Sequence, residues 1–105
     1  VRGVRGAVIV SAGFREGGGE GAALERSMLQ VARRHGLRLL GPNSFGVLRT
    51  DTRLNAACGA ALPDAGRLAL VSQSSALCAA TLDWARHGGN PTLGVMEFSR
   101  TVRCK

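Results

Sequence analysis

The sequence predicts an α/β fold: a partial parallel βαβ sheet, followed by the first strand and helix of a second α/β unit. Three observations predict it. Short, continuous apolar runs at Ala7–Val10 and Leu68–Val71, and the short segment Leu37-Arg38-Leu39-Leu40, suit parallel strands. Segments of helical period lie after both of the apolar runs. Glycine- or serine-rich turns stand where each strand gives way to its successor.

Ala7-Val8-Ile9-Val10 is the first strand, expected to be covered on both faces, and it ends at Ser11-Ala12-Gly13-Phe14. Arg15 to Gly21 reads as a loop because its glycines leave the backbone unconstrained. From Ala22, the residues Leu24, Met28, Val31 and Ala32 recur at helical spacing, with Glu25, Arg26, Gln30, Arg33 and Arg34 on the other side. Gly36 is placed to take the left-handed stop, with His35 just before it. Leu37–Leu40 is the second strand, broken at its carboxyl end by Gly41-Pro42-Asn43-Ser44-Phe45-Gly46.

A right-handed crossover brings the loops at Ser11–Phe14 and Gly41–Gly46 to the same sheet edge, where ligands bind in open α/β sheets. Thr50 to Gly66 shows no sustained period and reads as a connection, with a unit boundary near Pro63. Arg67–Val71 opens the second unit. Ser72-Gln73-Ser74-Ser75 makes the turn into a helix from Ala76 to His87, with Leu77, Thr81, Trp84 and Ala85 toward the sheet.

Composition narrows the function classes. Of 105 residues, 45% are hydrophobic, which is too many for a disordered chain, and no apolar run is long enough for a membrane span. Fourteen Lys and Arg against seven Asp and Glu give a net charge of +7, which favours anionic partners. The arginines are scattered without interleaved aromatics, so nucleic-acid binding is not expected. Cys58, Cys78 and Cys104 form no Cys-x-x-Cys pair, so neither a zinc site nor a redox motif is expected, and a reducing cytoplasm fits best.

The helix amino terminus at Ser72, Ser74 and Ser75 is the best anion site that physics alone provides, through free N–H groups and serine hydroxyls. Simple capping is the alternative. Gly17–Gly21 lacks both the G-x-G-x-x-G order and a following Lys-Ser or Lys-Thr, so it reads as plain loop. His35 and His87 precede glycines at helix ends and read as structural. Ser74 stands in no nucleophile elbow, and no catalytic residue is assigned.

The strings Val10-Ser11-Ala12-Gly13-Phe14-Arg15-Glu16, Leu39-Leu40-Gly41-Pro42-Asn43-Ser44, Leu54-Asn55-Ala56, Ala69 to Leu77 and Leu82-Asp83-Trp84-Ala85 together resemble the NDP-forming acyl-CoA synthetase family. That family includes the α subunit of succinyl-CoA synthetase. The Leu-Asp-Trp-Ala ending is most like its bacterial protein lysine acetyltransferase branch. The resemblance implies that residues 1–62 are the last part of a Rossmann-like CoA-binding domain and 63–90 the start of a flavodoxin-like domain. Residues 91–105 then form a divergent or truncated tail.

It also implies that Ser11 and Gly13 lie along the CoA crevice, that Gly41, Pro42, Asn43 and Ser44 lie near the thioester end of CoA, and that Ser72, Ser74 and Ser75 face phosphate. The family often has Cys where Ser44 stands and Gly where Ser75 stands. Its reaction converts acyl-CoA, NDP and phosphate to acid, CoA and NTP through a phosphorylated histidine that would lie beyond Lys105, and nucleotide would bind only through further domains. The chain is therefore expected to supply part of a CoA and phosphate site, with no metal. The remaining domains would come from the same protein or a partner subunit, and the chain alone is expected to be inactive. The alternatives are a non-catalytic CoA- or nucleotide-binding module and an inert gene fragment.

Overall fold

The computed structural model describes residues 3–59 and 61–87, together with the backbone of 94–97. Its elements in chain order are β1 (Gly6–Val8), a 3-10 turn (Arg15–Gly17), α1 (Gly19–Arg34), β2 (Arg38–Leu40), β3 (Gly46–Arg49), β4 (Leu54–Ala57), β5 (Ala69–Ser72), α2 (Ser75–His87) and β6 (Gly94–Glu97).

The first βαβ unit forms as expected. β1 and β2 pair in parallel with Gly6 opposite Arg38 and Val8 opposite Leu40. Gly36 takes the left-handed conformation at φ +62 and turns the chain from α1 into β2. The glycine segment differs from its reading as a loop. Arg15–Gly17 winds into a 3-10 turn and α1 begins at Gly19. Gly21 explains this, because a Cβ there would overlap the Phe14 carbonyl, so only glycine lets the helix start against that loop.

The inner face of α1 is also rotated from the expected one. Gly21, Glu25, Leu29 and Ala32 are buried, while Leu24 and Val31 are 55% and 58% exposed. Glu25 wins the inner position because its carboxylate has partners there. It accepts from the Arg15 main-chain N–H at 3.3 Å and pairs with the Arg15 guanidinium at 3.2 Å. β1 is not covered on both faces among the described residues, and Val8 and Val10 remain exposed.

The second sheet has the order β4-β3-β6-β5. Thr50–Gly66 is not connection alone, because β3 and β4 form an antiparallel hairpin with Gly46 opposite Ala57 and Arg49 opposite Leu54. β5 pairs in parallel with β6, and Val47 of β3 meets Met96 of β6. The strand at 94–97 falls in the segment for which the sequence offered no element.

Behind this sheet, Leu48, Cys78 and Leu82 form the buried centre, packed by Phe45, Ala57, Leu62 and Leu70. α2 therefore turns Cys78, Leu82 and Ala85 inward. Of the four residues expected to face the sheet, Ala85 does and Thr81 is half-buried, whereas Leu77 and Trp84 are more than half exposed. Cys78 and Leu82, four residues apart, lie on the stripe that meets Leu48, and that contact sets the rotation of the helix.

Candidate functional site

The candidate site is built at the carboxyl ends of β1 and β2. Past the paired residues the ladder continues, with the Ile9 N–H donating to the Leu40 carbonyl at 2.8 Å. The two following loops then bond to each other. Asn43 N–H donates to the Ser11 carbonyl at 2.9 Å, and Ser44 N–H to the Ile9 carbonyl at 3.3 Å. Residues more than 30 positions apart in sequence thus form one ledge, as the parallel pairing of β1 and β2 requires.

Each loop residue contributes differently. Gly41 has φ +98, and a Cβ on it would run into the Ile9 carbonyl, so the close approach of the loops needs glycine. The Gly41–Pro42 peptide is cis. Asn43 adopts φ +54, which Asn tolerates better than most residues, and it is exposed on the ledge. Ser44 is 4% exposed, and its hydroxyl accepts the Gly46 N–H at 3.1 Å. Of the six residues expected to lie near CoA, Ser11, Gly13 and Asn43 present an open surface, whereas Gly41, Pro42 and Ser44 are buried beneath it.

Glu16 belongs to this ledge, although in the sequence it stands within a glycine-rich loop. Its carboxylate accepts the Gly13 N–H at 2.7 Å and the Phe14 N–H at 3.3 Å. The N–H groups of Glu16 itself and of Gly13, with a smaller contribution from Phe14, hold the carboxyl below its ordinary value. The signal was the three-residue separation of Gly13 and Glu16, the reach of an acid that caps the turn before it.

The serine turn lies on other elements, between β5 and α2. Ser74 is the cap of α2, with its hydroxyl accepting the Leu77 N–H at 3.2 Å, and the Ser72 hydroxyl accepts the Ser74 N–H at 3.0 Å. Both oxygens act as acceptors here, which leaves each hydroxyl proton available to an incoming anion. His87 is structural as expected, its Nδ1 donating to the Asp83 carbonyl at 2.9 Å beside the Asp83 carboxylate at 3.2 Å. Among the described residues, no three His, Cys, Asp or Glu side chains cluster as a metal site, and no helix is long and apolar enough to cross a membrane.

Beyond the ledge, a cavity of about 190 Å³ lies between the β4 end and α2, lined by Phe45, Cys58, Ala79, Leu82, Asp83 and Arg86. A second, of about 370 Å³, is flanked by Leu48, Thr50, Ala69 and Val71. Neither was visible in the sequence pattern, because both depend on the β3–β4 hairpin.

No protein-family model matches the chain. It is 46% identical over 99 residues to acetate–CoA ligase [ADP-forming] I of Archaeoglobus fulgidus, covering 94% of the chain and 14% of that ligase. It is 46% identical over 83 residues to acetate–CoA ligase [ADP-forming] I subunit alpha of Pyrococcus furiosus, covering 79% of the chain and 18% of the subunit. PH0766 from Pyrococcus horikoshii OT3 superimposes with a TM-score of 0.83 at 33% identity, over 92% of the chain and 22% of that structure. Acetyl-coenzyme A synthetase 1 of Ca. Korarchaeum cryptofilum, solved with phosphate and ADP, matches with a TM-score of 0.77 at 35% identity, over 91% of the chain and 20% of that structure. The chain's homologues are thus ADP-forming acyl-CoA ligases, of which it spans less than a fifth of the length of either curated relative.

Proposed function

We propose that the chain is a segment of an NDP-forming acyl-CoA synthetase and supplies one wall of a CoA site together with part of a phosphate site. The observation that carries the reading is the Asn43–Ser11 backbone bond of 2.9 Å, which joins two family-like motifs into one exposed ledge at the carboxyl end of a parallel pair. CoA would run along Ser11 and Gly13 toward Asn43, with Gly41, Pro42 and Ser44 shaping the ledge from below. Phosphate would meet the α2 amino terminus, where Ser72 and Ser74 offer hydroxyl protons beside Ser75.

Acyl-CoA, NDP and phosphate would be exchanged for acid, CoA and NTP only with the remaining domains, held by the same protein or a partner subunit. One wall of a cleft gives none of the alignment on which such chemistry depends. ADP is the nucleotide we favour, because the relatives are named for it. The domain division near Pro63 and a cytoplasmic setting belong to the same proposal. The lysine acetyltransferase branch rests on Leu82-Asp83-Trp84-Ala85 alone, and the ligases found as relatives favour the ligase.

Thermal unfolding with and without CoA tests the reading, since a ligand that binds only the native state raises the transition temperature. The parent chain is expected to shift upward, and Asn43→Ala to shift less at the same CoA concentration. A parent transition that ignores CoA overturns the site. Equal shifts in parent and variant remove Asn43 from it.

A further inference from the structure

We propose that the end of the βαβ unit opposite the ledge is a docking surface for an acidic polypeptide segment, read by Arg5, Arg33, Arg34 and Arg38. The inference does not depend on the CoA reading.

Charge along the unit is biased from end to end, although Arg15 pairs with Glu25 at the acidic end and Arg26 lies within α1. Glu16, Glu20 and Glu25 stand at the start of α1 or in the turn before it, while Arg33 and Arg34 form its last turn. A helix of 16 residues spans roughly 24 Å, several screening lengths at physiological salt, so the two ends act as separate fields. The fold then adds to the basic end. Gly36 reverses the chain within three residues, so Arg38 opens β2 directly below α1, and the Arg38 N–H donates to the Arg5 carbonyl at 3.0 Å. Arg5, Arg33, Arg34 and Arg38, with His35, therefore all belong to the amino end of the β1–β2 pair and the adjoining end of α1, and all are exposed.

Among the described residues, no carboxylate pairs with any of them. The acid–base pairs there are Arg15–Glu25, Arg49–Asp51 and His87–Asp83. Cations in the last turn of a helix are ordinarily explained by the negative helix end, and Arg33 and Arg34 fit that account. Arg5 and Arg38 do not, because they belong to strands, which have little net dipole. Their placement beside the helix end raises the local positive potential, which attracts an anionic partner.

Arginine without lysine suits an oxyanion-bearing partner, because the planar guanidinium engages carboxylates and phosphates with two parallel hydrogen bonds, and the make-up of the patch decides between them. A nucleic acid is the less suitable partner. The patch holds four cations and no aromatic side chain, too few for the run of phosphate contacts a duplex supplies and without a platform for stacked bases.

The test is fluorescence anisotropy of a labelled octaglutamate peptide titrated with the full chain at low salt. Saturable binding is expected, weakened about tenfold in R33Q/R34Q/R38Q, the combined effect of three exposed ion pairs. The charge-matched variant R53Q/R67Q/R86Q is expected to bind as the parent does. Absence of binding, or equal losses in the two variants, overturns the proposal, since equal losses show net charge alone at work. Tighter binding of a 20-base-pair DNA duplex than of the peptide overturns it in favour of nucleic acid. Should R33Q/R34Q/R38Q fail to melt cooperatively, the single Arg5→Gln change reads the same loss on a smaller scale, against Arg67→Gln as its control.

Discussion

Gly41 rests so closely on the carbonyl of Ile9 that a single added carbon would overlap it, and at φ +98 its backbone lies where side-chain-bearing residues are strained. The ledge therefore depends on a position with no side chain at all. Gly41→Ala is expected to cost about 2 kcal/mol or more, from the strain and the displaced loop together. Urea unfolding checks this, and the CoA-dependent shift should vanish with it. A variant of parental stability would show that the two loops do not need their present distance.

Glu25 is the acid that fixes the loop before α1 to the helix. It is 5% exposed, whereas its partner Arg15 is 59% exposed, so solvent weakens the ion pair and the hydrogen bond to the Arg15 N–H carries much of the effect. Glu25→Gln keeps an acceptor and is expected to cost about 1 kcal/mol, while Glu25→Ala leaves the Arg15 N–H without its partner and costs about 2–3 kcal/mol. Thermal melts of the two variants give the order. If alanine is no worse than glutamine, the carboxylate does not hold the loop.

Ser74→Ala separates capping from ligand binding at the second expected site. Losing the hydroxyl that accepts the Leu77 N–H is expected to cost about 1 kcal/mol at the α2 amino terminus. That loss should be visible by unfolding without any ligand. If inorganic phosphate raises the transition temperature of the parent and not of the variant, the same hydroxyl also serves the anion. Equal rises in both would leave Ser74 a cap alone.

How much of this was legible in the sequence follows from what each element needs. β1, α1, β2, β5 and α2 announce themselves because local pattern determines them: apolar runs for parallel strands and a 3.6-residue period for helices. The faces of the helices did not. Leu24 and Val31 suit an inner stripe, but Gly21 must meet Phe14 and Glu25 must meet Arg15, and those tertiary contacts turn α1. Likewise Cys78 and Leu82 displace Leu77 and Trp84 because Leu48 is there to receive them.

The β3–β4 hairpin was hidden because Ala56 and Ala57 are weak strand formers that pair only through register with β3, where Gly46 admits the Ala56 backbone. A match of 99 residues cannot avoid residues 91–99, so relatedness extends into the stretch that the motifs left unassigned. At the ledge, the backbone geometry of Gly41 and Asn43 was implied by their residue types, whereas the inward turn of Ser44 and the part played by Glu16 depend on bonds that no motif displays.

The hydrogen bonds to Glu16 give the ledge an acid sensitivity whose sign can be worked out. Its own N–H and that of Gly13 stabilise the carboxylate, so the folded-state pKa lies below the ordinary value of 4.5 that applies in the unfolded chain. A group of that kind contributes its full stability above about pH 4.5 and loses it as pH falls through the folded value. Asp51, lowered from 3.8 chiefly by the Arg49 side-chain hydrogen bond, adds acid lability of the same sign elsewhere in the molecule. Glu16→Gln removes only the first contribution. The variant should melt below the parent between pH 5 and 7, and its curve should approach the parent's as pH falls through the lowered folded value and the Glu16 carboxylate is protonated. Because Glu16 organises the Gly13 and Phe14 N–H groups, the variant should also show a smaller CoA-dependent shift at neutral pH. Melting curves that run parallel from pH 7 to pH 3 would show that the carboxylate charge does not stabilise this turn.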